Sequence, residues 1–305
     1  MAGLFDDVIG HQAVVGVLGR DVAEPAHAYL LVGPHGVGKA TVARRFAAGI
    51  ICGEDEQCRS RVLRGLHPDV VLVEPDGRAA ITVEQARNAV ALANLAPVEG
   101  DRKIFILEEG GAMNDEAANA LLKTLEEPTA STIFLVIAES EDDLPETVAS
   151  RCRTVVFGRV PETDVAAGLG EFGVDEERAE QAARISGGRP GLAISLATRA
   201  DVAAFRNVWM SVPLRLSEHP GEGFRLTDEV MAAADPLLVA LKERQQEEAA
   251  TLEAEGGLSK AAEQRQVREL KRATIALHVS GLEILAGFYR DVAAAQLGGA
   301  VRNPD

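Results

Sequence analysis

The amino-acid sequence predicts an α/β fold, with a doubly wound parallel sheet in the first half of the chain and only helices after it. Three observations carry this. Short apolar runs recur at AYLLV (28–32), VVLV (70–73), KIFIL (103–107), TIFLVIA (132–138) and TVVF (154–157). Each is rich in β-branched residues and continuous rather than alternating, as parallel strands buried on both faces are. Between the runs lie helical patterns such as Val42, Ala43, Phe46, Ala47 and Ile50, and strand–helix alternation is the mark of such a sheet. Aromatic residues make up only 4% of the chain, so Ala, Val and Leu must do most of the packing, which suits α/β and helix-rich layers.

A length of 305 residues predicts two or three domains. The strand-bearing part covers residues 1–160. Pro161 and the acids after it open a second unit, 161–200, which reads as small and helical and is broken by Gly187-Gly188-Arg189-Pro190-Gly191. Residues 201–305 show no strand pattern. Leu270, Leu277 and Ile284 recur every seven residues there, with Gly281 and Phe288 on the neighbouring stripe, which describes one face of a long helix. The charged stretch KERQQEEAATLEAEGG (242–257) reads as a solvated helix face ending at a Gly-Gly break.

Composition excludes several classes. A net charge of -16 makes the chain a poor direct binder of nucleic acid, since phosphate binding needs clustered Lys and Arg. Cys52, Cys58 and Cys152 are an odd, sparse set, unlike a secreted disulfide framework. The N-terminus MAGLFDDVIG carries acids and lacks the apolar stretch of a signal peptide, and no apolar run approaches the ~18 residues of a membrane span. A cytoplasmic protein is expected.

The motif GPHGVGKAT (33–41) follows a strand and opens a helix, the context of a P-loop. Gly33, Gly36 and Gly38 let the backbone aim N–H groups at phosphate, Lys39 reaches the β- and γ-phosphates, and the helix N-terminus adds positive potential. The position after the lysine, which needs a metal-binding hydroxyl, holds Ala40. Thr41 carries a hydroxyl, but one residue further along a helix points about 100° away. The cradle suits a nucleotide such as ATP and is expected to handle Mg²⁺ weakly or not at all. KIFILEE (103–109) resembles a Walker B strand, with Glu108 where an aspartate usually holds the metal and Glu109 where an acid polarises water. The extra methylene of Glu108 displaces its carboxylate, and Mg²⁺ geometry is unforgiving. In NALLKTLEEP (119–128), Leu121, Leu122 and Leu125 form a buried face and Pro128 stops the helix that Asn114 caps. Arg151, in Ser150-Arg151-Cys152 ahead of the last strand, sits at a domain edge.

FDDVIGHQAVVGVL (5–18), HAYLLVGPHGVGKAT (27–41), HPDVVLVEP (67–75), NALLKTLEEP and SRC (150–152) stand in an order that resembles the clamp-loader subunits of bacterial DNA polymerase III. The HPD-V segment and the Gly187–Gly191 turn are similar to delta-prime rather than to gamma/tau. The resemblance covers residues 4–200 closely and the remainder loosely. It implies an AAA+ P-loop NTPase core at 1–160, a helical lid at 161–200 and an all-helical collar at 201–305. It further implies a place beside gamma/tau and delta in a hetero-pentameric ring that loads the sliding clamp onto primer-template DNA, as part of a nucleotidyltransferase holoenzyme. Delta-prime subunits are poor or inactive ATPases, so no independent catalysis is expected, and Arg151 becomes a candidate arginine finger acting in trans. Gamma/tau carries an Arg-Asp pair after the Gly turn; Arg189 is out of that register. The family's four zinc-binding cysteines are reduced here to Cys52 and Cys58, with His67 near in sequence, so structural zinc is not expected. A collar ending at Asn303-Pro304-Asp305 is shorter than usual, whether truncated or divergent. The rival readings are an active gamma/tau-like ATPase and a different AAA+ remodelling enzyme, such as a branch-migration motor.

Overall fold

A computed structural model describes residues 3–75, 81–216, 219–255, 260–299 and 301. The chain divides into two compact units, Met1–Gly173 with Ser186–Leu192, and Val174–Ile185 with Ala193–Asp305.

The first unit runs α1 (Gln12–Asp21), β1 (Ala28–Val32), α2 (Lys39–Cys52), α3 (Glu56–Leu63), β2 (Val70–Val73), α4 (Val83–Ala93), β3 (Lys103–Leu107), α5 (Asp115–Glu126), β4 (Thr132–Ala138), α6 (Glu146–Ala149), β5 (Arg153–Val156) and α7 (Glu162–Glu171). Short 3-10 turns, Gly110–Ala112 and Glu141–Asp143, follow β3 and β4. All strand pairs are parallel, in the order β2-β3-β4-β1-β5.

Because successive residues of a strand face opposite sides, each central strand feeds two cores. Leu30, Phe105, Leu107, Phe134 and Val136 face α4 and α5, against Ala86, Ala89, Leu121 and Leu125. Tyr29, Leu31, Ile104, Ile106, Ile133 and Leu135 face α1 and α2, against Leu18, Val42, Phe46 and Ala47. Phe105 stacks on Phe134 with ring centroids 5.1 Å apart. Each such side chain contributes about 1.5–3 kcal/mol on burial.

Every residue of β1, β3 and β4 is buried. The edge strands depart from the expectation of burial on both faces: β2 is mostly half-buried and β5 buries only Val155. An edge strand has one neighbour instead of two, and the crossover helices cover the middle of the sheet first. The last strand also starts one residue earlier than predicted, which leaves Phe157 buried just beyond its end. Helix α5 forms as its sequence dictates. Asn114 caps it by accepting the Ala117 N–H at 2.8 Å. Leu121 and Leu125 are buried, Leu122 is half-buried, and the helix stops at Glu126, two residues before Pro128.

Helices α8 (Glu176–Ser186) and α9 (Pro190–Thr198) straddle the division between the units. The second unit continues with α10 (Ala200–Arg215), α11 (Pro220–Ala232), α12 (Asp235–Glu255) and α13 (Lys260–Gln296), without a strand among the described residues. Its core is Phe205, Trp209, Val230, Ala234 and Leu237, with Leu277, Ile284 and Leu285 of α13 packed against it. Gly281 is required there: a Cβ would stand 2.1 Å from the Trp209 ring. The charged stretch on α12 is not uniformly solvated as expected. Gln245 is buried, and it exchanges hydrogen bonds with Gln266 of α13 at 3.1 and 3.0 Å. The Gly256-Gly257 break and Asn303-Pro304-Asp305 lie outside the described residues.

Candidate nucleotide site

The P-loop joins β1 to α2. Gly33, Gly36 and Gly38 have φ of +149°, +79° and +105°, backbone that side-chain-bearing residues rarely adopt. At Gly33 a Cβ would also lie 2.2 Å from the Phe157 carbonyl oxygen, so glycine is the sole residue that fits. The Gly33 N–H donates to the Glu139 carbonyl at 3.1 Å, tying the loop to the end of β4. Lys39 is buried and its ammonium donates to the Gly33 and Pro34 carbonyls, the latter at 2.8 Å. Burial lowers the Lys39 pKa and the Glu139 charge opposes that fall.

Ala40 is half-buried against the α1/α2 face of the core, while Thr41 is exposed, so the two positions differ as the helical turn requires. Glu108, Glu139 and the P-loop follow the C-terminal ends of the three neighbouring strands β3, β4 and β1, the end at which open α/β sheets bind ligands. Arg44, a turn along α2, donates to Glu108 at 2.8 Å. Glu109 adopts φ +55°, an uncommon conformation for a non-glycine residue.

Two residues on the loop carried no role in the sequence reading. His11 Nε2 lies 2.8 Å from the Val37 carbonyl, and its ring meets Phe157 edge-on with centroids 5.0 Å apart. Burial lowers its pKa, so the neutral ring donates here. Arg189 packs its aliphatic stem beside Gly36 and donates from Nε to the Ser186 carbonyl at 3.0 Å. Only their place within the GHQ and GGRPG segments hinted at either.

Arg151 is not brought to this loop. Two residues past it, Arg153 registers with Tyr29 near the start of β1, whereas the P-loop follows the end of that strand. Arg151 donates to the Thr147 carbonyl at 2.6 Å and pairs with Glu126 of α5. Its neighbour Cys152 is a free thiol whose pKa burial pushes up to about 11.

The other cysteines correct the expectation from composition. Cys52 and Cys58 form a disulfide, made local by the turn at Gly53 and the Asp55-capped start of α3. His67 completes a cluster whose three donor atoms lie within 4.8 Å of one another. Structural zinc wants four ligands, with sulfur as thiolate; three donors, two of them joined as a disulfide, do not fit it. His67 Nδ1 instead accepts the Asp69 N–H at 3.2 Å. The buried Asp69 carboxylate then accepts from the N–H groups of Val98, Glu99 and Gly100 at 2.6, 2.8 and 3.0 Å. Burial alone would raise this carboxyl's pKa, but the three donors together hold it below the ordinary carboxylate range.

A phosphate cradle between a buried strand and a helix, an acidic end to β3, and a parallel sheet of order β2-β3-β4-β1-β5 define the P-loop NTPase core of the AAA+ class. Residues 13–161 match the family described as DNA polymerase III, delta subunit. The delta' subunit of DNA polymerase III from Pseudomonas aeruginosa is 41% identical over 140 residues, covering 43% of this chain and 42% of that protein. The tau/gamma subunit from Haemophilus influenzae is 33% identical over 173 residues, covering 53% of this chain and 25% of that protein. A gamma subunit-related protein from Thermotoga maritima overlays with a TM-score of 0.47 and 16% identity, covering 85% of this chain and 99% of the other. The chain spans less than half the length of the two curated relatives. Among the described residues no helix is long and apolar enough to cross a membrane.

Proposed function

We propose that the chain is a delta-prime-like subunit of a DNA polymerase III clamp loader, cytoplasmic, and that it does not hydrolyse ATP itself. Its partners in this reading are gamma/tau and delta in a hetero-pentameric ring, with the clamp and primer-template DNA met through the complex. Residues 1–160 act as the ATPase-like core, 161–200 as lid and 201–305 as collar. The observation that carries the reading is the Arg44–Glu108 pair beside Ala40. The carboxylate that would hold a metal is bonded to a guanidinium, and the metal-binding hydroxyl is missing, so Mg²⁺ does not fit. Arg151 contributes to a neighbour's ATP in trans.

The test has two arms. The pure chain with ATP and Mg²⁺ should show negligible turnover, and it should restore clamp loading when added to a loader lacking delta-prime. Steady turnover abolished by Lys39→Ala would favour the gamma/tau-like reading, which the intact glycines and Lys39 support. Failure to enter the loader would sink both.

A further inference from the structure

We propose that His11 is a positioning residue of the P-loop: its Nε2–H pins the Val37 carbonyl, and this fixes the Gly38 N–H in the orientation that binds phosphate. The inference rests on reading residues 1–160 as an ATPase-like core that still holds nucleotide. Nε2 lies 2.8 Å from the Val37 carbonyl oxygen, 26 positions along the chain. A carbonyl only accepts, so Nε2 carries the proton. Phe157 fixes the ring from a second side, edge-on at a centroid distance of 5.0 Å. Phe157 also walls the start of the loop, since its carbonyl oxygen would stand 2.2 Å from a Cβ at Gly33. His11 and Phe157 together therefore border the loop at Gly33 and at Val37.

The backbone at His11 is held for this contact. His11 and Glu109 are the non-glycine residues with positive φ among the described residues. His11 has φ 57° and ψ 27°, just ahead of α1. A left-handed residue other than glycine persists where its surroundings hold it. Here Gly10, the residue before it, has no room for a Cβ, which would stand 2.6 Å from Val160. The bond also orients the next amide. Every described peptide bond is trans, and in a planar trans peptide the C=O and the following N–H point in opposite directions. With the Val37 carbonyl on His11, the Gly38 N–H points the other way. No described residue accepts it, nor the N–H of Gly36 or Val37, and no side chain caps α2 at Gly38. Open amides of this kind are what a P-loop offers to phosphate. Gly38 has φ +105° and no Cβ, so without the bond the peptide ahead of it turns over at little steric cost. A flipped peptide presents a carbonyl oxygen to phosphate in place of an N–H. Affinity then falls with the fraction of loops in the competent orientation, and one hydrogen bond shifts such an equilibrium by roughly five- to ten-fold.

Calorimetric titration of the full chain with ADP in EDTA separates the donor from the ring. His11→Gln keeps an N–H at the reach of Nε2 and loses the ring. His11→Phe keeps a ring for Phe157 and loses the donor. His11→Phe should weaken ADP roughly five- to ten-fold, and His11→Gln should stay within about two-fold of the parent. His11→Ala removes both and should match His11→Phe in ADP affinity, which covers poor folding of that variant; melting temperatures are read alongside. His11→Gln as weak as His11→Phe would make ring packing the cause and overturn the proposal. So would a folded His11→Phe that binds ADP like the parent. No ADP binding by the parent would overturn it too, yet leave a non-hydrolysing loader subunit standing. Steady ATP turnover by the parent would sink that subunit reading without altering the ADP comparison.

Discussion

Arg44 donates from Nη2 to Oε1 of Glu108 across 2.8 Å, linking residues 64 positions apart in the chain. Both side chains are about a third exposed or less, so water screens the pair and a modest energy is expected. A double-mutant cycle with Arg44→Ala and Glu108→Ala should give a coupling of about 0.5–1 kcal/mol in denaturant midpoints, shrinking as salt is raised. A coupling near zero at low salt would mean the pair does not form in solution.

Asp69 carries a larger share of local stability. Its folded pKa lies below the unfolded value, so its contribution is fully present above the unfolded pKa and is lost as pH falls through the folded one. Asp69→Asn should cost about 1–3 kcal/mol at neutral pH, since a charged acceptor of three backbone donors becomes a neutral one. The variant should also flatten the acid limb of the stability–pH curve. An unchanged acid limb would assign that limb to other carboxylates.

Arg151 is held by Glu126 and Thr147 within its own unit, so action in trans requires exchange of one partner for another. On the proposed role of Arg151 as a finger in trans, worth about 10³–10⁵ in rate at one interface, Arg151→Ala in a reconstituted loader should lower DNA-stimulated ATPase in part. The isolated chain should lose less than about 1 kcal/mol of stability. A folded, assembled variant with unchanged ATPase and clamp loading would reduce Arg151 to a rim charge.

Gly281→Ala sets two effects against each other. Alanine favours the helix by about 1 kcal/mol, but its Cβ would meet the Trp209 ring at 2.1 Å. Trp209 is buried beside Phe205 and has little room to retreat. Overpacking costs about 1–3 kcal/mol or more, so a net loss of roughly 1–2 kcal/mol is expected in thermal unfolding followed by circular dichroism. A stabilised variant would place the helix crossing further apart than the structure does.

What the sequence disclosed followed from local rules. The five apolar runs became the five strands because burial on a parallel sheet leaves a continuous pattern, and Thr41 turned outward because one residue rotates a helix by about 100°. Tertiary facts stayed hidden. Edge exposure of β2 and β5 depends on strand order, which no single run encodes. The pairings Arg44–Glu108, Gln245–Gln266 and Arg151–Glu126 join segments far apart in sequence. The Cys52–Cys58 bridge was missed for another reason: three cysteines in an acidic chain argue about compartment, whereas the bond depends on a turn six residues long.

Trp209 is the sole tryptophan of the chain, and it is packed against α13 at Gly281. Tyr29, with its hydroxyl bonded to Asp21 at 3.0 Å, lies in the other unit. Red-edge excitation of intrinsic fluorescence therefore reads the helical unit alone and is blind to the sheet. Emission from the indole would shift when denaturant disturbs the α10–α13 contact. Far-ultraviolet ellipticity sums both units, so any offset between the two signals measures how independently they melt.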